Sequence, residues 1–224
     1  MPFKFTSDMS VEDAQKLAEN LGLQHSVIPI GDIYDSFNKG LEKEFKGKEK
    51  DITEENLQSR CRGVILMALS NKSGDLVLTT GNKSETAVGY STLYGDTAGG
   101  FGVLKDVPKT MVYELSRYRN TISKVIPERI IERPPTAELA PDQKDTDSLP
   151  DYDILDKIIE LYVEQDKSKE EIESLGVGND VIERVLRLID ISEYKRRQAP
   201  LGVKITSRGF GKDRRYPITN KFIK

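Results

Sequence analysis

A single cysteine, Cys61, and a single histidine, His25, are all that 224 residues offer for thiol and imidazole chemistry. That scarcity argues against a disulfide framework, fits a reducing compartment, and leaves a Cys/His metal site or a Cys–His nucleophile pair short of members. Cys61 lies between Arg60 and Arg62, which would lower a thiol pKa, yet with no histidine near in sequence it reads as structural. Also missing is any apolar run of about 18 residues, the length of a membrane span. Met1-Pro-Phe-Lys opens the chain without the apolar stretch of a secretory leader. The expected location is therefore the cytoplasm, with no membrane partner. The net charge of −3 is too small for a global field to select nucleic acid, which is not the expected partner. No internal repeat is visible.

What charge there is lies unevenly. Glu132 to Glu173 holds 14 acidic against 5 basic residues, whereas Tyr194 to Lys224 holds 10 basic residues and one acid, Asp213. The start of the acidic stretch carries Pro134, Pro135, Pro141 and Pro150 with few apolar residues, and reads as a long exposed loop between two folded parts, a lid or a linker. The basic tail reads first as a solvated face, with a nucleic-acid patch or a clamp on a small anion as the alternatives. The division that follows is a nucleotide-binding part over 1–131, an acidic Pro-containing loop over 132–152, and a helical part with the basic tail over 153–224.

The pattern of apolar residues and caps predicts a helix over Val11 to Leu21, with Ser10 as cap and Gly22 as stop. A strand is expected over His25 to Ile30. Thr53 opens a helix over Glu54 to Asn71 whose Leu57, Val64, Leu66, Met67 and Leu69 make a largely buried half. Asp75-Leu-Val-Leu-Thr79 reads as a short buried strand, followed by a short helix around Ser84 to Tyr90. Pro108 takes a first-turn position in a helix over Lys109 to Arg119. Further on, Ile154, Leu155, Ile158, Ile159 and Tyr162 form one helical stripe. Ser168 and Glu171 make a capping box on a short helix ending at Gly176, and Val181 to Arg196 is a helix with Ile182, Val185, Leu186 and Ile189 inward. Helices alternating with strands imply a parallel sheet with crossovers and a helical C-terminal extension, an α/β fold.

The stretch Leu78-Thr-Thr-Gly-Asn-Lys-Ser-Glu-Thr-Ala-Val-Gly-Tyr-Ser-Thr-Leu-Tyr-Gly-Asp96 leaves the strand as a polar, glycine-spaced loop. The carboxyl end of a strand is where ligands bind in an open α/β sheet. Glu85 reads first as a first-turn glutamate favoured by the helix dipole, and second as a carboxylate that helps hold a magnesium ion. Lys109 starts a helix, where a cation is disfavoured unless something anionic is near, and this mildly favours phosphate contact. Thr80 and Thr136 read either as ordinary caps or as ligand contacts. Gly95-Asp-Thr-Ala-Gly-Gly-Phe-Gly102 supplies backbone able to approach a ligand closely.

This stretch, continued to Lys105-Asp-Val-Pro-Lys109, resembles the core signature of NAD synthetases, particularly the glutamine-dependent ones. The resemblance extends to Met1-Pro-Phe-Lys-Phe-Thr-Ser-Asp8, which looks like the end of a second strand and the switch after it. It also covers Glu55-Asn-Leu-Gln-Ser-Arg60, Pro135-Thr-Ala-Glu-Leu139 with 143–152 beyond, and Glu193-Tyr-Lys-Arg-Arg197. It implies a Rossmann-like sheet of the adenine-nucleotide alpha-hydrolase type. In that family ATP adenylates the nicotinate carboxylate of deamido-NAD, and ammonia, free or drawn from glutamine, displaces AMP to give NAD. The resemblance implies that Thr80, Lys109 and Thr136 contact ATP, that Glu85 ligates Mg2+, and that Asn56, Arg60 and Lys195 contact deamido-NAD. The acidic loop would then close over the site, and the basic tail would face the anionic dinucleotide.

One element of the family pattern does not occur. The phosphate loop Ser-Gly-Gly-x-Asp-Ser, whose aspartate shares the magnesium, is not in the chain, and Ser207-Arg-Gly-Phe-Gly-Lys212 lacks its spacing. The expectation is an N-terminally truncated sheet missing its first central strand, poorly active or inactive alone. Its exposed flank would need a homodimer or a complementing N-terminal chain to cover it. A nucleotide- or nucleic-acid-binding module using the tail is the alternative.

Overall fold

In the computed structural model, residues 1–174 and 176–219 are described; the last five residues of the basic tail lie outside the described residues. Three short parallel strands form the sheet: β1 (Leu78–Thr79), β2 (Phe101–Gly102) and β3 (Leu201–Gly202), in that order. Leu78 pairs with Phe101 and Phe101 with Leu201; Thr79 pairs with Gly102 and Gly102 with Gly202. At Gly202 a Cβ would stand 2.4 Å from the carbonyl oxygen of Gly102, so this close approach requires glycine. The expected parallel α/β architecture is present. β1 is shorter than the predicted 75–79 strand, however, and Leu78 is 54% exposed rather than buried.

Ten helices surround the sheet among the described residues. α1 spans Asp8–Leu21 and stops at Gly22 in the left-handed conformation; its cap is Ser7, whose hydroxyl accepts from Ser10 N, rather than Ser10 itself. The expected strand at 25–30 does not form among the described residues. His25 to Ile30 is irregular and leads into α2 (Gly31–Phe45), which sequence reasoning missed. Nor is Met1–Phe3 the end of a strand: Pro2 O accepts from Ile30 N, and the Phe3 ring packs at a tilt of 49° against Tyr34 in a small cluster with Ile30 and Cys61. α3 (Ile52–Ser73) starts on a capping box between Asp51 and Glu54, so its cap is Asp51, two residues before the expected Thr53. Its buried residues are Gln58, Ser59, Cys61 and Gly63, while Val64, Met67 and Leu69 are exposed, the reverse of the expected buried half. The packed face is polar because its neighbour is the backbone of the 92–98 loop: Ser59 Oγ accepts from Asp96 N at 3.0 Å, and a Cβ on Gly63 would meet Tyr94 O at 2.6 Å.

α4 (Lys83–Val88) joins β1 to β2, with Asn82 and Glu85 in a capping box and Gly89 as left-handed stop. α5 (Lys109–Ile122) follows β2, with Pro108 at its cap position, and α6 (Glu128–Glu132) leads into the acidic loop. α7 (Tyr152–Ile159) widens into a π turn over Glu160–Glu164. α8 (Lys169–Glu173) carries the expected Ser168–Glu171 capping box. The expected single helix over 181–196 is two, α9 (Asn179–Ile191) and α10 (Glu193–Arg196), broken at Ser192, whose hydroxyl donates to Val88 O at 3.0 Å.

The main core joins α4 to this C-terminal group. Ala87 and Val88 pack with Leu155, Ile158 and Ile159 of α7, Val163 of the π turn, and Ile182, Val185 and Ile189 of α9. Burying one such branched side chain contributes about 1.5–3 kcal/mol. The loop after β1 is thereby mounted on the best-packed part of the molecule. Of the expected stripe on α7, Ile154 alone faces out.

Candidate functional site

The carboxyl end of β1 opens on a narrow cleft of about 100 Å3 lined by Thr80, Gly81, Glu85, Tyr90, Asp96 and Lys195. Glu85, Tyr90 and Asp96 also border a larger basin of about 600 Å3, walled by α1, α5 and the acidic loop, which includes Lys109, Thr136 and Asp145. Five of the seven residues singled out in the sequence, Thr80, Glu85, Lys109, Thr136 and Lys195, therefore line one continuous depression. Asn56 and Arg60 do not line it. Asn56 Oδ1 accepts from Thr92 Oγ1 at 2.8 Å and Arg60 Nε donates to Leu93 O at 3.2 Å, so both brace the loop that forms its wall.

Glu85 holds two jobs through its two oxygens. Oε2 accepts from Asn82 N at 3.3 Å and closes the capping box, while Oε1 meets Lys109 Nζ at 3.0 Å. Burial works against the charge on Lys109, but the Glu85 carboxylate beside it holds its pKa above the ordinary lysine value. Its ammonium also stands 5.2 Å from the centre of the Tyr152 ring. An anion is thus at hand within the chain, and the start of α5 has another: Asp156 Oδ2 accepts from Thr110 N at 2.9 Å and from Thr110 Oγ1 at 2.8 Å. A carboxylate there is favoured by the helix dipole. The position of Lys109 therefore needs no bound phosphate to explain it, which removes the electrostatic inference drawn from sequence.

Lys195 Nζ donates to Gly89 O at 2.7 Å and to Ser91 O at 2.6 Å. Burial, aided by the positive charge of Arg60 and opposed by Asp96, pulls its pKa below the ordinary lysine value. Thr136 Oγ1 donates to Gln143 O and accepts from Glu138 N at 3.2 Å, which folds the acidic loop on itself. Glu138, at a left-handed φ of 51°, accepts from Ser7 Oγ at 2.9 Å, Ser10 Oγ at 2.8 Å and Arg133 Nη2 at 2.7 Å, tying that loop to the start of α1.

Several residues of the depression carried no role in the sequence reading. Tyr90 and Tyr152 donate to the two oxygens of Asp145, at 3.1 and 2.8 Å. Burial first, then nearby carboxylates, raises both phenol pKa values and keeps these groups as neutral donors. Lys105 donates to Pro200 O at the other end of the cleft. Tyr90, Asp96 and Lys105 sit inside the glycine-spaced signature, but the pairing of Tyr90 with Asp145 spans 55 positions and leaves no local trace.

Two expectations about charge are corrected. Cys61 is buried, and burial pushes its thiol pKa up against the opposing pull of Arg62. The described basic tail is no uniform solvated face: buried Arg196 donates to Glu193 Oε2, Ala87 O and Ile189 O and lies over the Phe210 ring, while Arg208 and Arg214 pair with Asp166.

The family model described as NAD synthase matches residues 1–199. A glutamine-dependent NAD(+) synthetase of Acinetobacter baylyi is 57% identical over 222 residues, covering 98% of this chain and 41% of the relative. A solved glutamine-dependent NAD+ synthetase of Acinetobacter baumannii, in complex with adenosine diphosphate, is 50% identical with a TM-score of 0.59, over 97% of this chain and 39% of that one. The NMN synthetase of Francisella tularensis is 26% identical with a TM-score of 0.73, over 87% of this chain and 73% of that one. The chain spans about two fifths of the length of the Acinetobacter proteins.

Proposed function

The chain belongs to the NAD synthase family, and from that premise we propose that it forms the substrate-holding part of an enzyme that amidates deamido-NAD to NAD at the expense of ATP. The observation that carries this reading is the convergence of Thr80, Glu85, Lys109, Thr136 and Lys195 on one depression at the carboxyl end of β1. We assign Thr80, Lys109 and Thr136 to ATP, with Lys109 the charge that meets its phosphates. Lys195, Asn56 and Arg60 go to deamido-NAD; Asn56 and Arg60 act from behind the wall they brace, unless the 92–93 loop opens. The 132–152 segment serves as the cover of the basin.

Glu85 is the group we assign to magnesium. Mg2+ is commonly held by one or two carboxylates, with water and substrate phosphates completing its sphere. A partly exposed carboxylate already shared with a lysine fits that pattern. No cage of three or more acid, histidine or cysteine side chains exists among the described residues. When bound, the ion would neutralise phosphate charge; the chain's own part is to orient the nucleotide and keep Lys109 charged against it.

No described helix is long and apolar enough to cross a membrane. The outer edge of β1 has no strand partner among the described residues, and Leu76 and Leu78 beside it are exposed. We propose that another chain, a second copy or a complementing one, covers this edge.

Calorimetry with deamido-NAD tests the site. The chain is expected to bind the dinucleotide, and Lys195→Ala to weaken it by about 1–3 kcal/mol, the loss of a charge-assisted hydrogen bond. Lys195→Arg, which keeps the charge, should recover most of the affinity. Equal binding by the wild type and Lys195→Ala would reject the role given to Lys195, and no binding by the wild type would reject the site.

A further inference from the structure

Lys105 and Arg196 also border a second cavity, of about 390 Å3, formed with Arg197, Lys204, Lys212 and Arg215. That volume falls in the range of small-molecule pockets. Six cationic side chains line it, and Asp106 is its one carboxylate. In a chain of net charge −3, this is a strong local inversion of sign.

The carboxylates within reach are already spent. Asp106 Oδ2 accepts from Ile205 N and Thr206 N, both at 2.8 Å, and Oδ1 faces buried Lys83 Nζ at 3.3 Å. Glu193 serves Arg196 at 3.0 Å and Arg197 at 2.6 Å, and Asp213 serves Lys204 at 2.7 Å. Three cations remain with no carboxylate bonded to them among the described residues. Lys105 has the carbonyl of Pro200, Arg215 Nε has the carbonyl of Gly211 at 2.6 Å, and Lys212 has only the neighbouring charge of Asp213. Three unneutralised cations converging on a concave space repel one another, and an anion held between them relieves that repulsion.

We infer that this cavity, which adjoins the cleft at the end of β1 through Lys105, Arg196 and Ala199, binds a compact polyvalent anion of the inorganic pyrophosphate class. A guanidinium and two ammonium groups match several phosphoryl oxygens at once, the guanidinium by its planar fork and the ammoniums as point charges. The concavity favours a small anion over a polymer backbone, which needs an open track of charge. The inference does not rest on the nucleotide reading of the other site.

Calorimetric titration with inorganic pyrophosphate, at two salt concentrations, tests it on the whole chain. Lys212 and Arg215 are exposed, so Lys212→Glu/Arg215→Glu should fold, as checked by circular dichroism and an unchanged unfolding midpoint. The double variant is expected to lose about a hundredfold or more in affinity at this site, from two charge-assisted contacts, while Lys109→Ala, whose change lies in the other depression, leaves the binding step that depends on Lys212 and Arg215 at its wild-type affinity. No binding by the wild type, equal binding by the double variant, or loss in Lys109→Ala of the binding step that depends on Lys212 and Arg215 each overturns the proposal. So does tighter binding of a single-stranded RNA oligomer through the same two residues, which would make the cavity part of a polymer track.

Discussion

A lysine with none of its surface exposed stands first in helix α4, at the end of the dipole that repels it. Lys83 is tolerated there because Glu164 Oε1 at 2.8 Å, Thr206 Oγ1 at 2.5 Å, Arg208 O at 2.9 Å and Asp106 Oδ1 at 3.3 Å surround its ammonium. The π turn after α7 brings Glu164 to this point, an example of a widened turn redirecting one side chain. The network fastens 204–208 of the tail beneath the loop that carries Glu85. Removing one partner of such a buried group leaves the others charged and unpaired, a loss of about 3–5 kcal/mol. Lys83→Met should therefore lower the urea unfolding free energy by that amount; a loss under about 1 kcal/mol would mean the carboxylates find water or other partners. In sequence Lys83 is one more polar residue of a ligand-like loop. Its partners lie 81 and 123 positions away, and no local pattern announces a pairing of that range.

Elements that carry their own punctuation were legible. Gly22 stops α1 in the left-handed conformation, and Ser168 with Glu171 caps α8, because these effects need only a few consecutive residues. α2 carries Ile33, Tyr34, Phe37, Leu41 and Phe45 at helical spacing, but it starts on Gly31 and contains Gly40, which weaken its propensity, and of that stripe it buries only Tyr34. In α3 apolar spacing does not mark the inward side, because its packed face is chosen by the backbone of the 92–98 loop. The acidic loop follows a third rule: it is held by long-range polar contacts, among them the carboxylate of Glu138 clamped between α1 and Arg133 and that of Asp145 bonded by Tyr90 and Tyr152. Burial opposes the charge on Glu138, but the bonds from Arg133, Ser10 and Ser7 win and hold its pKa below the ordinary carboxylate value. Its stabilising effect is present above the unfolded-state pKa of about 4.3 and is lost as pH falls through the lower folded-state value. Unfolding midpoints taken from pH 6 to 3 should show that loss in the wild type, and Glu138→Gln should flatten it. An unchanged slope in the variant would mean the loop is held by other contacts.

At the scale of the molecule, the packed core and the candidate site have different reach. The core from α4 to α9 is complete within the described residues, with Leu155, Ile158, Ile182, Val185 and Ile189 fully buried. The depression holds groups suited to binding but few suited to stabilising transferred charge: on the proposed assignment, Glu85 is the one carboxylate given to a metal and Lys109 the one cation given to phosphates, and the two are paired with each other. Phosphoryl and adenylyl transfer draw most of their acceleration from positioning and from donors aimed at developing charge. The chain contains no Ser-Gly-Gly-x-Asp-Ser phosphate loop to add backbone amides to that set. Binding and turnover should accordingly separate. With ATP, Mg2+, deamido-NAD and ammonia, this chain alone should form NAD several orders of magnitude more slowly than a full-length family member, in keeping with the roughly 10²–10³-fold cost of losing even one such donor, while retaining measurable affinity for deamido-NAD. Adding a chain that carries the phosphate loop should raise the rate in proportion to complex formed, since the missing donors would then approach the edge of β1. Turnover at the full-length rate by this chain alone would show that Glu85, Lys109 and their neighbours suffice, and would overturn the view of it as a substrate-holding part.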